Sequence, residues 1–483
     1  MGNNERIAKA VAIATDTKLF VLERACLHKA PSIFEQYFKG RKAVVVADNN
    51  TWKAAGEMIY GYLSAAGIPT EKYIIRENRF HAEWKYVEMV DKVLEGQFDA
   101  ARSIEEDKNH QESDATKAVR TASNDYYVAV AVGSGVINDL CKLASFHYGQ
   151  SYLTIPTAAS VDGFSSFGAS ISYKHAKQTF NCPAPIAILA DVDVIAAAPK
   201  EMTAAGYADL AAKIPAGAEW MIADLLGTEP IIPAAWHVLQ DVLNDQLSNP
   251  EGVAAAEPKA IADLFEGLTL SGFAMQAARS SRPASCCDHL FSHILDMTEH
   301  TYHGELQSHG FQVAIGTLTM CAVFDEFFKF DLSKIDVEAC VKAWPTLEQE
   351  QKRALELFKN FPAPKLGYES ITQKYTDAEA VRKELTLVKE NWPEFKNKLQ
   401  QQVFSFEKMQ NMFKKVCAPY DPSMIGVTRA QLKDMFPFVQ LMRWRFNLLD
   451  LTKRAGIYDR LVAAVFAKGG AWDLDKEQEI KQN

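Results

Sequence analysis

Short apolar runs alternate with amphipathic helical stretches over the first 190 residues, and this alternation restricts the fold more than any other feature. Two stretches between the runs, 51–67 and 81–96, have helical patterning, and Thr51 and Gly67 are suited to begin and end the first. The apolar runs that we predict as strands are KAVVVAD at 42–48, KYIIRE at 72–77, YYVAVAVGSG at 126–135 and SYLTIP at 151–156. Apolar strands separated by helices predict a parallel sheet covered on both faces.

Helical periodicity dominates from about residue 196 to the C-terminus, and strand patterning nearly disappears there. We therefore place a domain boundary near residue 190, after the extended run ILADVDV. The prediction is an α/β, Rossmann-like domain over 1–190 and an all-α domain over 191–483. The polar segment 98–118 predicts an irregular loop inside the first domain.

The composition is that of an ordinary globular protein, with 48% hydrophobic and 23% charged residues among 483. A net charge of −9 argues against nucleic-acid binding as the main task, because phosphate neutralisation needs surplus cations. The sequence has neither a signal-peptide pattern nor a run long enough to span a membrane. Its eight cysteines include no CxxC pair, which favours reduced thiols in the cytoplasm.

A histidine cluster in CCDHLFSHILDMTEHTYHGE predicts a metal site. His289 and His293 are four residues apart and therefore share one face of a helix. His303 follows ahead of a glycine, and the distant Asp209 could supply a carboxylate, completing a three-ligand site with an open position. Spacing alone leaves the choice of ligands open, because His300 and His309 lie in the same region.

Gly133-Ser134-Gly135 ends a predicted strand and opens a predicted helix. Such a turn lets backbone N–H groups approach a pyrophosphate, and the helix dipole favours the anion. A tight packing turn would have the same sequence. The hydroxyls of Thr157 and Ser160 and the bend at Gly163 follow the next strand, at the sheet edge where ligands of open α/β sheets bind.

Five ordered motifs resemble the iron-containing alcohol dehydrogenase superfamily, which includes dehydroquinate synthase-like folds. More narrowly, the chain resembles the sn-glycerol-1-phosphate dehydrogenase branch, including the bacterial type found beside arabinose-utilisation genes. The motifs are GSGVINDLCK at 133–142, IPTAASVDGFSS at 155–166, AAGYADLAAK at 204–213, SRPASCCDHLFSH at 281–293 and HGE at 303–305. The closing segment RWRFNLLDLTKRAG also looks like that branch.

The resemblance implies roles for individual residues. It implies that Asp209, His289 and His303 hold one divalent metal and that Asp162, Asp209 and His293 contact substrate. NAD or NADP would be bound by Gly133, Ser134, Gly135, Val136, Ile137, Asp139, Lys142, Thr157, Ser160 and Ser166. The implied assignment makes His293 a substrate contact and not a metal ligand.

The implied reaction is the NAD(P)-linked interconversion of dihydroxyacetone phosphate and sn-glycerol 1-phosphate, with zinc, nickel or iron as the metal. Arg279 and Arg282 are the candidates for binding the substrate phosphate. Asp48 ends the first predicted strand, where an acidic group disfavours the 2′-phosphate of NADP. The oligomeric state is open, with a homodimer or a larger homo-oligomer compatible with the sequence.

Three stretches depart from the branch pattern beside the predicted pocket. Cys286-Cys287-Asp288 stands where Gly and Glu are common, and Lys213–Ala216 replaces a KYTA-like stretch. HGE is followed by Leu306–Gly310, where Gln-Val-Gly-Val-Gly is typical. Three alternatives therefore stay open: a glycerol or other polyol dehydrogenase, a dehydroquinate synthase-like lyase, and a non-catalytic descendant.

Overall fold

A computed structural model describes residues 3–77, 80–115, 119–174 and 176–477. The chain divides into two compact units, unit 1 with residues 1–210 and 234–281, and unit 2 with residues 211–233 and 282–483. This division differs from the single predicted boundary near residue 190, because helices that follow the last strand of the sheet belong to unit 1. Among the described residues, no helix has both the length and the apolar character needed to cross a lipid bilayer.

Unit 1 is built on a six-stranded sheet in which every pairing is parallel, in the order β1-β8-β5-β4-β2-β3. A separate antiparallel hairpin, β6-β7, interrupts the chain between two of its strands. The strands are β1 (Leu19–Glu23), β2 (Lys42–Asp48), β3 (Thr70–Ile75), β4 (Tyr127–Gly133), β5 (Leu153–Pro156), β6 (Ala169–Tyr173), β7 (Ala176–Phe180) and β8 (Ala187–Asp191). The predicted parallel sheet is confirmed, and all four predicted strands lie in it.

The helices of unit 1 cover both faces of the sheet. They are α1 (Asn3–Ile13), α2 (Ala30–Phe38), α3 (Asn49–Thr51), α4 (Glu57–Ala65), α5 (Trp84–Leu94), α6 (Phe98–Glu106), α7 (Gly135–His147), α8 (Val192–Ala196) and α9 (Lys200–Ala211), followed after unit 2's first helix by α11 (Pro233–Gln246), α12 (Pro250–Ala254) and α13 (Pro258–Ala278). One apolar core contains residues of α5 and α7, and the other contains residues of α2 and α4.

Hydrogen bonds from one side chain fix the turn from β2 into α3. Asp48, the last residue of β2, accepts hydrogen bonds from the N–H groups of Asn50 and Thr51 at 2.7 and 2.9 Å. The Thr51 hydroxyl accepts the N–H of Asp48, which completes a capping box. The helix cap is therefore Asp48, three residues before the predicted Thr51. The segment predicted as a loop from residue 98 instead begins with α6, whose buried Glu105 binds Tyr73 and Arg102.

Over its described residues, which end at 477, unit 2 is helical apart from one short hairpin, as the patterning predicted. Its strands are β9 (Thr301–Tyr302) and β10 (Glu305–Leu306). Its helices are α10 (Lys213–Leu225), α14 (Cys287–Met297), α15 (His309–Phe327), α16 (Val337–Ala343), α17 (Leu347–Phe358), α18 (Leu366–Lys374), α19 (Ala378–Gln402), α20 (Phe406–Val416), α21 (Arg429–Leu441), α22 (Leu448–Arg454) and α23 (Tyr458–Phe466).

Candidate functional site

The glycine turn after β4 in unit 1 has the geometry of a backbone anion site. Ser134, the residue before the 13-residue helix α7, has an extended backbone and makes no capping hydrogen bond with its side chain, so the first N–H groups of the helix can bind an anion. A Cβ at Gly133 would lie 2.6 Å from the Ile137 side chain, and one at Gly135 would lie 3.0 Å from Val161. Close packing therefore requires glycine at 133, whereas at 135 a side chain would need the Val161 side chain to shift.

The loop after β5 lies directly against that turn. The N–H of Thr157 donates to the carbonyl oxygen of Gly133 at 3.1 Å, so the predicted hydroxyl-bearing residues are held beside the glycine turn. Three of these side chains, Thr157, Ser160 and Ser166, are buried. Unit 1 thus brings the predicted cofactor residues of both loops together at the carboxyl edge of the sheet.

Asp139 and Lys142, both on α7, hydrogen-bond to the segment that follows β5. The Lys142 ammonium is buried and donates to the carbonyl oxygens of Gly163 and Gly168, both at 2.9 Å, and to Asp139 at 3.2 Å. Asp139 also accepts the N–H of Ser170 at 3.1 Å. These contacts give the pair a loop-holding role, and direct contact with a cofactor remains a prediction.

Asp162 and Asp209 adjoin each other in unit 1. The N–H of Asp162 donates to Oδ2 of Asp209 at 2.9 Å, and the Ser271 hydroxyl donates to Oδ2 of Asp162 at 2.8 Å. Helix α9 approaches the loop closely enough to make this contact because of Gly206, where a Cβ would lie 1.9 Å from the carbonyl oxygen of Ala159. Asp162 and Asp209, both predicted to contact substrate, therefore lie next to each other in the region of the loop that follows β5.

We expect Gly206→Ala to destabilise the protein by about 1–3 kcal/mol, because the added methyl must displace the Ala159 backbone. Urea unfolding would measure the loss. The matched control is Gly61→Ala, on an exposed face of α4 with nothing within 4 Å of the added Cβ. There the same substitution should be neutral or stabilise by about 0.5–1 kcal/mol. Equal midpoints for the two variants would contradict the close-packing explanation.

In unit 2, His289 faces His309 across α14 and α15. The ring centroids lie 5.3 Å apart, and His309 is the first residue of α15. The helices come together at Gly316, where a Cβ would lie 2.0 Å from the carbonyl oxygen of Asp288. A bulkier residue at position 316 would therefore push α15 away from α14 and separate the two imidazoles.

Both imidazoles are held through Nδ1. The carboxylate of the buried Asp288 accepts from Nδ1 of His289. The Ser292 hydroxyl donates to Oε1 of Gln312 at 2.6 Å and contacts Nδ1 of His309 at 3.2 Å. Nδ1 of each ring is therefore engaged by a neighbouring side chain, and a ring held in this way can bind a metal through Nε2.

His303 lies elsewhere. It is exposed, stacks on Tyr302 with centroids 3.9 Å apart, and has φ +54°, followed by Gly304 with φ +74°. Two consecutive positive φ angles between β9 and β10 are the geometry of a two-residue hairpin turn. His-Gly at 303–304 thus forms a hairpin turn, and the structure pairs His289 with His309 and not with His303.

The sequence contained the signal for His309. His309-Gly310-Phe311 precedes Gln312-Val313-Ala314-Ile315-Gly316, which matches the Gln-Val-Gly-Val-Gly continuation that HGE at 303–305 lacks. Residues 306–308 depart from the pattern of the branch. They contain the last residue of β10 and the link from the hairpin to α15, where this motif begins. Asp288, another departure from the family pattern, orients His289.

Two other buried groups organise unit 2. Glu219 accepts the N–H groups of Cys287 at 3.1 Å and Leu448 at 2.8 Å, and burial, with Asp288 nearby, raises its pKa. Arg282, predicted as a phosphate ligand, is buried and donates to the carbonyl oxygens of Phe446 at 2.9 Å and Glu219 at 2.7 Å. The other predicted phosphate ligand, Arg279, is exposed at the end of α13 in unit 1.

Comparison with known proteins gives a match to one family and to one solved fold. The model of the iron-containing alcohol dehydrogenase family matches residues 85–199. The fold is similar to a probable glycerol dehydrogenase from Sinorhizobium meliloti, with a TM-score of 0.53 at 16% identity, over 92% of this chain and 97% of that one. The fold is therefore that of the iron-containing alcohol dehydrogenases, and residues 85–199 are similar in sequence to that family.

Within that group, the sequence is similar to enzymes named glycerol-1-phosphate dehydrogenase [NAD(P)+]. The Halalkalibacterium halodurans protein is 32% identical over 280 residues, which are 58% of this chain and 64% of that protein. The Geobacillus thermodenitrificans protein is 28% identical over 334 residues, which are 68% of this chain and 76% of that protein. The match to the first relative thus spans less than two thirds of its length.

Proposed function

We propose that the protein is a metal-dependent, NAD(P)-linked oxidoreductase that interconverts dihydroxyacetone phosphate and sn-glycerol 1-phosphate. The observation that carries the proposal is the facing pair His289 and His309, each held through Nδ1, by Asp288 and Ser292 respectively. The names of the sequence relatives support the choice of reaction.

Asp209, His289 and His309 are the metal ligands that we propose. The donor set suits a divalent ion, since two neutral imidazoles and one carboxylate serve zinc, nickel or iron. A bound divalent ion supplies Lewis acidity toward the substrate's hydroxyl or carbonyl oxygen. Asp288 and Ser292 keep the two rings in the required orientation, so neither histidine must reorganise to bind.

The substrate contacts that we propose are Asp162, Asp209 and His293. Asp162 keeps one carboxylate oxygen on Ser271, which fixes its direction. In unit 1 the glycine turn at 133–135 would bind the cofactor pyrophosphate through the N-terminus of α7. Thr157, Ser160 and Ser166 lie on the loop that adjoins this turn and would contact the cofactor further along.

Asp48 gives a testable cofactor preference. β2 and β4 are neighbours in the sheet, and Asp48 and Gly133 are their last residues, so both lie at the same edge. We expect Asp48→Ser to raise the ratio of kcat/KM for NADPH over NADH by about 10-fold or more, equivalent to about 1.4 kcal/mol of repulsion removed. Serine retains the helix cap, so only the charge is lost.

The control for that substitution is Asp48→Ala. It removes the charge and also the cap, so it should show the same change in cofactor ratio with about 1 kcal/mol less stability. An unchanged ratio in both variants, measured with purified protein and both reduced cofactors, would remove Asp48 from the cofactor site.

The experiment that tests the proposed function compares dihydroxyacetone phosphate with dihydroxyacetone as oxidants of NADH, using metal-loaded protein. We expect a strong preference for the phosphorylated ketone. Equal or better turnover of dihydroxyacetone would indicate a polyol dehydrogenase. Consumption of neither ketone by protein that binds metal and NAD would contradict the proposal.

A further inference from the structure

A cluster of three arginines in unit 2 contains one member without an acidic partner. Arg282 and Arg445 both approach Glu229, with N–O distances of 3.4 and 3.6 Å. Arg445 also donates to the carbonyl oxygen of Ser285 at 3.2 Å. The third member, Arg443, has no carboxylate within 4 Å among the residues that the structure describes.

The hydrogen bond that Arg443 does make is to His293. Its Nη2 lies 2.9 Å from Nε2 of His293, and because a guanidinium cannot accept, the imidazole nitrogen must. The contact satisfies one N–H and contributes no negative charge. Burial, together with the neighbouring Arg445, lowers the pKa of Arg443 to about 10. A recessed guanidinium is normally paired with an anion, and here the part of the chain that the structure describes provides none.

The position of Arg443 allows an anion to reach it. The residue lies in the bend at 442–445 between α21 and α22, its side chain is partly exposed, and Trp444 beside it is 54% exposed. The planar fork of a guanidinium matches two oxygens of a phosphate monoester. Arg282 is unsuited to this task because carbonyl oxygens and Glu229 already surround it.

We propose that Arg443 binds the phosphate group of the substrate beside His293 and is the residue that selects a phosphorylated ketone. The identity of that substrate rests on the proposed function, whereas binding of a phosphate monoester at Arg443 does not. The fork would add hydrogen bonds to two phosphate oxygens while its remaining N–H holds His293 toward the ligand. Selection would then come from pairing a charge that the protein alone leaves unbalanced.

Steady-state kinetics of Arg443→Gln test the proposal. We expect KM for dihydroxyacetone phosphate to rise about 10- to 100-fold, the range for a hydrogen bond to a charged group, with a smaller change for dihydroxyacetone, which has no phosphate, and KM for NADH within about 2-fold. Arg443→Lys should fall between, because it keeps the charge and loses the fork. A larger change for NADH or NADPH than for the ketone would overturn the proposal by assigning Arg443 to the cofactor phosphates.

A binding measurement decides the question without turnover. Inorganic phosphate, compared with chloride at equal ionic strength, should raise the melting temperature of the wild-type protein and of Arg460→Gln, which alters an exposed arginine of unit 2 that lies over the Phe330 ring. It should have no such effect on Arg443→Gln. The same rise in all three proteins would overturn the proposal. A wild type that binds phosphate through Arg443 but does not reduce dihydroxyacetone phosphate would instead refute only the proposed function.

Discussion

His309→Ala is expected to abolish stoichiometric binding of the divalent metal and to lower kcat/KM for dihydroxyacetone phosphate by at least about 10³-fold. The reason is that His309 is a proposed ligand held opposite His289 by Ser292, and a Lewis acid contributes several kcal/mol to such a reaction. Elemental analysis of the dialysed protein and NADH oxidation would measure the two losses.

His303→Ala is the matched control for that experiment. The residue is exposed on the β9–β10 turn, so its removal should leave metal content and activity near those of the wild type. The two variants therefore separate the ligand predicted from HGE at 303–305 from the one that the structure pairs with His289. Loss of metal in His303→Ala, with retention in His309→Ala, would contradict the assignment.

Glu219→Ala is expected to be the most damaging substitution for folding, with a loss of about 3 kcal/mol or more. Its carboxylate accepts from Cys287 at the start of α14 and from Leu448 at the start of α22, while its own helix is α10. Truncation leaves two buried N–H groups without an acceptor and opens a cavity among three helices.

Urea unfolding, followed by the fluorescence of unit 2 tryptophans, would measure that loss. The control is Glu394→Ala, which removes a carboxylate whose partner, Lys398, lies one turn along the exposed face of α19. That variant should unfold at the wild-type midpoint, because exposed ion pairs contribute little. A Glu219→Ala variant as stable as the control would show that the buried carboxylate does not hold the three helix ends.

The sheet of unit 1 was predictable because its inner strands are apolar throughout. The run at 42–48 and the run at 126–135 have no alternative to burial on both faces, so the parallel sheet followed directly. The hairpin β6–β7 was missed because its short strands mix polar and apolar residues, and the edge strand β1 was missed although Leu19–Leu22 is an apolar run. Helix α6 was missed because its polar surface masks a single buried face.

The residue types of the proposed metal site could be predicted from the sequence, and the choice of its individual ligands less so. Asp209 and His289 follow from motif order, whereas the choice between His303 and His309 depends on backbone conformation. Two positive φ angles at 303 and 304 make a hairpin turn, and spacing along the chain does not reveal this. The role of Arg443 was out of reach because it depends on which carboxylates lie near it in space.

The proposed reaction is best tested by the stereochemistry of the product that the metal-loaded protein forms from dihydroxyacetone phosphate and NADH. We expect oxidation of NADH only when the metal is bound, and we expect the product to be sn-glycerol 1-phosphate. Formation of the opposite enantiomer, or reduction that continues unchanged after the metal is removed, would contradict it.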